Sequence, residues 1–159
     1  MAEGVFQSLT SPSHPLISTI DSCGTGAYHL GSSPDSRTMS TLVKNGITTY
    51  RHSARKFSPR TDFRDFDYIL AMDDENLADL EALRKEEVKR QGGEEGVGKV
   101  MLFGEFGGRR RKAVGKRSER GEEIDDPYYG GDEGFKVAYT QCEKFGRCFL
   151  ERLEGGELS

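Results

Sequence analysis

The run Tyr68-Ile69-Leu70-Ala71-Met72, followed at once by Asp73-Asp74-Glu75, constrains the chain more than any other stretch. Five consecutive apolar residues do not alternate with polar ones. A strand built from them must bury both faces, as strands do in a parallel sheet covered by helices. The acidic triplet then opens a helix whose inner face is Leu77, Leu80 and Leu83, and acids in a first turn are stabilised by the helix dipole. Asp73 also falls at the carboxyl end of a strand, where open α/β sheets meet their ligands. A second apolar run, Val100-Met101-Leu102-Phe103, and a β-branched run from Leu16 to Asp21 supply further strands. Strands alternating with helices predict an α/β fold with a parallel sheet.

Helices account for most of the rest. Ala2, Val5, Phe6 and Leu9 form an apolar stripe over residues 1–9. Ser33 as N-cap with Pro34 in the first turn predicts a helix with Met39, Leu42 and Val43 inside, stopped at Gly46. Residues 133–153 carry Phe135, Ala138, Cys142, Phe145, Phe149 and Leu153 at helical spacing, which makes Cys142 a small core residue rather than a reactive one. Thr48 to Pro59 reads as basic and irregular. Ser22-Cys23-Gly24-Thr25-Gly26 reads as a turn; His29 stands where a dinucleotide fingerprint would need its third glycine.

The 159 residues suit one domain. Three cysteines with no framework spacing fit a reducing compartment, and the first seven residues contain no signal-peptide pattern, so a cytoplasmic protein is expected. No apolar run approaches membrane-spanning length. His14, His29 and His52 lie apart without ligand spacing, so neither a metal nor another cofactor is expected. Charge is uneven. Residues 109–120 hold seven basic side chains against Glu119, a local charge of +6 in a chain of −4, which leaves −10 elsewhere. Residues 104–121 read as a solvated Gly- and Arg/Lys-rich loop insertion, with an anionic-surface or nuclear-import patch as the alternative. No nucleic-acid partner is expected.

One octet, Ile124-Asp125-Asp126-Pro127-Tyr128-Tyr129-Gly130-Gly131, carries chemistry. Proline pushes the residue before it to extended geometry, so Asp126 is displayed rather than folded into a helix. Tyr128 and Tyr129 are flat and amphipathic and suit the wall of a slot for an aromatic ring. A displayed acid beside such a slot is a general-acid arrangement.

These segments together resemble a known family. Phe66 to Asp73 with Asn76-Leu77, and Asp126-Pro127-Tyr128-Tyr129-Gly130, are similar to the low-molecular-weight protein-tyrosine phosphatases, as are Ile20 to Thr25, Pro34-Asp35 with Arg37, Gly46-Ile47 and His52-Ser53-Ala54-Arg55. The resemblance implies a doubly wound parallel sheet with helices on both faces and a single domain over 1–159. It implies hydrolysis of phosphotyrosine in protein substrates through a cysteinyl-phosphate. By position, Asp126 is the general acid; Tyr28, Tyr128 and Tyr129 line the substrate slot; Asp73, Ser22 and His52 steady the phosphate loop.

The family's phosphate loop has the form C-x5-R-S, and residues 1–159 contain no C-x5-R: six after Cys23 stands His29, six after Cys142 stands Cys148, and six after Cys148 stands Glu154. Cys23 occupies a place where the family has a small residue after a strand, so no nucleophile is assigned. The expectation is a chain truncated before the family's first, central strand and its loop, inactive as it stands. The alternative is a shortened isoform acting as a protein-interaction module through Tyr28, Tyr128, Tyr129 and the basic loop. An arsenate reductase, which shares the fold family, relies on relay cysteines and does not need the Asp126-Pro127 acid. Oligomeric state is not indicated.

Overall fold

The computed structural model describes residues 1–10, 12–26, 30–112 and 119–158, with residues 111, 112, 119 and 120 described by their backbone. Strand β1 (Tyr68–Ala71) pairs in parallel with β2 (Lys99–Leu102), Tyr68 opposite Lys99 and Ala71 opposite Leu102. The continuous apolar run behaves as its composition requires, because its two faces enter two different cores. Tyr68, Leu70 and Met101 pack with α1 (Ala2–Thr10), α2 (Ser36–Lys44) and α5 (Asp132–Glu154), among Val5, Leu42, Phe145 and Phe149. Ile69, Ala71, Val100 and Leu102 pack with α3 (Pro59–Asp65) and α4 (Asp74–Gln91), among Phe63, Leu77 and Leu80. Helices therefore cover both faces, and the period of two sorts the strand residues between them. No helix among the described residues is long and apolar enough to cross a membrane.

Helix α5 runs one residue beyond its expected span at each end, and its apolar stripe is buried as the spacing requires, Cys142 included. Gly146 lets α1 lie close against it: a Cβ there would stand 3.0 Å from Leu9 and 3.2 Å from Phe6. The Phe6 and Phe149 rings meet edge to face at 5.7 Å. Helix α2 starts later than Ser33-Pro34 suggests. Its N-cap is Asp35, whose Oδ1 accepts from the Arg37 amide at 2.8 Å. The carboxylate reaches that orphan donor and takes the capping role from Ser33. Helix α3 went unassigned in the sequence, although Pro59 sits in its first turn.

Two expectations are corrected. Residues 104–121 are not a plain loop. Gly104 bridges Glu122, and a short antiparallel hairpin, β3 (Arg111–Lys112) with β4 (Glu119–Arg120), stands above that bridge. The second correction concerns Leu16 to Asp21, which forms no strand. Among the described residues the parallel sheet has two strands, and the edge of β1 away from β2 carries no strand partner. Residues 16–25 face β1 across a cavity of about 550 Å³ to which both contribute walls. A β-branched run without a neighbour at ladder distance has nothing to bond and stays irregular. The chain that follows the run ties to residues 54–57: the Gly24 amide donates to the Arg55 carbonyl at 3.0 Å, the Phe57 amide to the Gly24 carbonyl at 2.8 Å, and the Gly31 amide to the Ala54 carbonyl at 2.7 Å.

Candidate active site at the carboxyl edge of the sheet

The cavity opens where β1 ends. Asp73, Asn76, Ser22, Cys23 and the Asp125–Pro127 segment all line it. Three of the expected site residues, Asp126, Asp73 and Ser22, thus share one space although they are far apart in sequence.

Asp126 is exposed and extended (φ −69°, ψ 113°), as a residue before proline should be. Its Oδ1 accepts from the Tyr128 amide at 3.0 Å, capping the one-turn 3₁₀ helix Pro127–Tyr129. Just upstream, the Ile124 amide donates to the Met72 carbonyl at 2.8 Å, which fastens the acid-bearing segment to the end of β1. Downstream the segment is held by Arg37, which sequence reasoning did not single out for this. Its guanidinium donates to the carbonyls of Tyr128 (2.9 Å) and Gly130 (3.2 Å) and to both Asp35 oxygens (3.1 and 3.0 Å). It also lies 4.6 Å from the Phe135 ring centre and 5.7 Å from that of Tyr128. These hydrogen bonds hold the Asp35 carboxyl below its usual range. The residue that caps α2 therefore also aims the arginine that ties down the acid loop.

Tyr128 and Tyr129 meet edge to face, ring centres 4.9 Å apart, and project outward; Tyr129 is 92% exposed. Neither contributes to the cavity wall, so they stand outside its mouth. Tyr28 lies outside the described residues.

Asp73 caps α4. Its two oxygens accept from the Asn76 amide and from Asn76 Nδ2, both at 2.7 Å, and Asn76 Oδ1 in turn receives Thr25 Oγ1 at 3.4 Å. The sequence places Asp73 in the first turn of the helix; it stands one residue earlier, as the N-cap, and the same bonds link α4 to the loop after Cys23.

Ser22 and His52 converge on a residue that the sequence reading passed over. Glu3, buried in α1, receives Ser22 Oγ, lies 3.0 Å from His52 Nδ1 and accepts from the Tyr50 hydroxyl at 3.3 Å. Burial and the Glu3 charge push the Tyr50 phenol upward. The His52 ring stacks on Tyr50 with 3° between planes, and its Nδ1 is 3.9 Å from Asp21. A carboxylate beside Ala2 and next to the apolar stripe was the available signal: a buried acid must find donors. Glu3, Asp21 and His52 also bring three possible metal-ligating atoms within 4.8 Å of one another, a grouping that histidine spacing alone did not reveal. The short Glu3–His52 distance is that of a hydrogen-bonded pair.

Cys23 and Cys142 are not poised for attack. Cys23 is solvent-exposed by area but sits in the crowded cavity mouth, and desolvation there pushes its thiol up to about 11, against the opposing pull of Arg55. Cys142, in the core, is likewise pushed up to about 11 by burial. Arg55 lines the cavity but is committed to Asp21 (2.7 Å) and Asp62 (2.9 Å). The arrangement therefore presents an exposed carboxyl, Asp126, at the mouth of a shaped cavity in which burial works against ionisation of the Cys23 thiol.

Comparison with known proteins identifies this combination. The profile of a family described as low molecular weight phosphotyrosine protein phosphatase matches residues 1–157. The phosphatase of that name from Schizosaccharomyces pombe is 44% identical over 155 residues, covering 96% of this chain and 87% of its own length. That from Rattus norvegicus is 35% identical over 153 residues, covering 96% and 85%. Among solved structures, a protein tyrosine phosphatase from Entamoeba histolytica with Hepes in its active site superposes with a TM-score of 0.73 at 28% identity, over 98% of this chain and 88% of the other. A Drosophila arginine phosphatase gives the same TM-score and identity over 96% and 87%.

Proposed function

Because the chain belongs to the low-molecular-weight phosphotyrosine protein phosphatase family, we propose that it serves to hydrolyse phosphotyrosine in protein substrates through a cysteinyl-phosphate, with Asp126 as the general acid. The observation that carries this reading is the position of Asp126: displayed, pinned by Met72 on one side and by Arg37 on the other, at the mouth of a cavity on the carboxyl edge of the sheet. In the first step a thiolate forms the S–P bond as the aryl O–P bond breaks, and Asp126 delivers its proton to the departing phenolate oxygen. In the second, the Asp126 carboxylate takes a proton from water. The water oxygen bonds phosphorus and the thiolate leaves.

The thiolate is the part residues 1–159 do not supply. They contain no C-x5-R, and Cys23 is held as a thiol. On this reading the nucleophilic cysteine and the phosphate-gripping arginine of a C-x5-R loop would occupy the cavity beside the open edge of β1. In that arrangement Asp73, through Asn76 and Thr25, steadies the loop's floor, and Ser22 and His52, held by Glu3, steady its side. Tyr128 and Tyr129, with Tyr28, flank the entering ring. The three free cysteines fit a reducing compartment such as the cytoplasm. The polypeptide 1–159 alone is expected to turn over p-nitrophenyl phosphate negligibly. The same residues joined to a strand and C-x5-R loop ahead of α1, as a longer product, are expected to turn it over, and Asp126→Asn to abolish most of that rate. Turnover by 1–159 itself would overturn the assignment of the nucleophile. A longer product with turnover unaffected by Asp126→Asn would overturn the assignment of the acid.

A further inference from the structure

Three elements meet at one guanidinium. Helix α2 carries Arg37 in its first turn. The turn that follows Asp126 offers it the carbonyls of Tyr128 and Gly130. Helix α5 offers it the ring of Phe135, a buried residue of its own first turn, with the guanidinium carbon 4.6 Å from the ring centre. Asp35 sets the orientation. Its carboxylate takes Nε and Nη2 together, as a fork, while its Oδ1 also caps α2 through the Arg37 amide. A side chain held in that way cannot swing, and its outer nitrogens are left facing the acid turn: Nη2 donates to the Tyr128 carbonyl at 2.9 Å and Nη1 to the Gly130 carbonyl at 3.2 Å.

What the arginine grips is the scaffold of the acid. Tyr128 gives its amide to Asp126 Oδ1 and its carbonyl to Arg37, so the backbone of one residue spans from carboxyl to guanidinium. Gly130 gives its amide to the Pro127 carbonyl at 3.1 Å, closing the turn, and its carbonyl to Arg37. From the α5 side the turn is backed by Gly134, where a Cβ would stand 3.2 Å from that of Pro127. A surface ion pair needs only the carboxylate. Arg37 has its carboxylate and spends further donors on two main-chain oxygens of the acid turn, contacts that order a loop whatever side chains the loop carries. A lysine could not serve them together, because its ammonium is a single point charge without the planar fork.

We propose that Arg37, aimed by Asp35, is a positioning residue for the general acid: it holds the Pro127–Tyr129 turn so that the Asp126 carboxyl stays at the leaving oxygen while the aryl O–P bond breaks. This rests on the reading of Asp126 as the acid of a phosphotyrosine phosphatase. The proton passes from Asp126 to the phenolate oxygen, and Arg37 exchanges none. The effect of Arg37 therefore scales with how much the leaving group needs that proton. A phenolate of the tyrosine kind, with a phenol pKa of about 10, needs it most; p-nitrophenolate, which spreads its charge into the nitro group, needs it less.

Two measurements test this. The first uses 1–159 and no turnover. Hydrogen exchange at the Tyr128 amide, the donor to Asp126, is expected to speed up about tenfold or more in Arg37→Ala and in Arg37→Lys, with the β1–β2 amides unchanged. Unaltered exchange at Tyr128 would overturn the proposal. The second uses the longer product that carries a C-x5-R loop and compares kcat/KM for phenyl phosphate and p-nitrophenyl phosphate. Asp126→Asn is expected to lose about 10²–10⁴-fold on phenyl phosphate and at least about tenfold less than that on p-nitrophenyl phosphate. Arg37→Ala should show the same bias in smaller measure, about tenfold on phenyl phosphate against less than about threefold on p-nitrophenyl phosphate. Arg37→Lys should fail to restore the lost rate, and Asp35→Asn should lie between wild type and Arg37→Ala. Equal losses on the two substrates in Arg37→Ala would mark a merely structural role and overturn the proposal. The Asp126 variant separates the two readings. If Asp126→Asn shows the bias and Arg37→Ala does not, the acid stands and the role of Arg37 falls. If Asp126→Asn shows no bias, the reading of Asp126 as the acid fails and takes the role of Arg37 with it.

Discussion

The two flanks of β1 are built on different physics. On the β2 side, backbone pairing and apolar packing do the holding: four residues in parallel register, with Phe63, Leu77 and Leu102 sealed behind them. On the other side, residues 16–25 lie across a cavity and are held by polar side chains and a few loop hydrogen bonds, with Glu3 gripping Ser22 and His52, and Arg55 gripping Asp21. Both flanks contain β-branched, apolar sequence. The difference is that one run has a strand beside it and the other does not. Strand propensity describes a fit to a neighbouring surface, and without that surface it produces no strand.

Mutations should separate the flanks sharply. Phe63→Ala is expected to cost about 3–5 kcal/mol in urea unfolding, because the ring is fully buried. Leu16→Ala, at an exposed position on the open flank, should stay within about 0.5 kcal/mol. Comparable losses at both sites would mean that the open flank is packed after all. Glu3→Ala should come next, at about 3 kcal/mol, because it strands the Ser22, Tyr50 and His52 donors around a buried acceptor site. Reversion of that loss in a Glu3→Gln variant would show that an acceptor, rather than a charge, is what the open flank needs.

A smaller effect is expected at Arg37, whose side chain is partly exposed. Arg37→Ala should chiefly raise hydrogen-exchange rates of the Tyr128 and Gly130 amides, the loop it holds. Unchanged exchange there would assign the loop's order to Asp126 and Pro127 alone. The smallest effect concerns acidity. Glu122 is held below its usual range, first by the Arg109 amide and then by Gln141. A depressed carboxyl contributes stability above its unfolded pKa of about 4.3 and loses it as pH falls through the lower folded value. Protection of the Arg109 amide should therefore persist at neutral pH and fade in acid below the ordinary glutamate range, with the β1–β2 amides unaffected over the same interval.

How much of this could be read from the chain divides along the same line. The two-sided strand at Tyr68, the α5 stripe and the acid-led start of α4 were legible because each is fixed by local pattern: a continuous apolar run, a helical period, acids at a helix start. Asp126 was legible because proline dictates the geometry of its neighbour. What escaped needed a partner from elsewhere in the chain. Glu3 looks like an ordinary helical acid until Tyr50, Ser22 and His52 gather around it. Arg37 looks like surface charge until the Tyr128 and Gly130 carbonyls meet it. Leu16 to Asp21 looks like a strand until its neighbour proves to be a cavity.

The glycine-sealed junction at the hairpin base has one more consequence. Because a Cβ on Gly104, Gly108 or Gly121 would collide with backbone atoms of the crossing, and one on Gly107 with Cys148, the stretch between residues 109 and 120 can be regarded as a cassette. Its length and lettering can be rewritten, by drift or at the bench, without the core registering the change, whereas a single methyl group added at the seam would be felt throughout. Diversity between relatives of this chain should accordingly accumulate past the seam and stop at it, and a recognition sequence spliced between residues 109 and 120 should travel with the fold as a removable label.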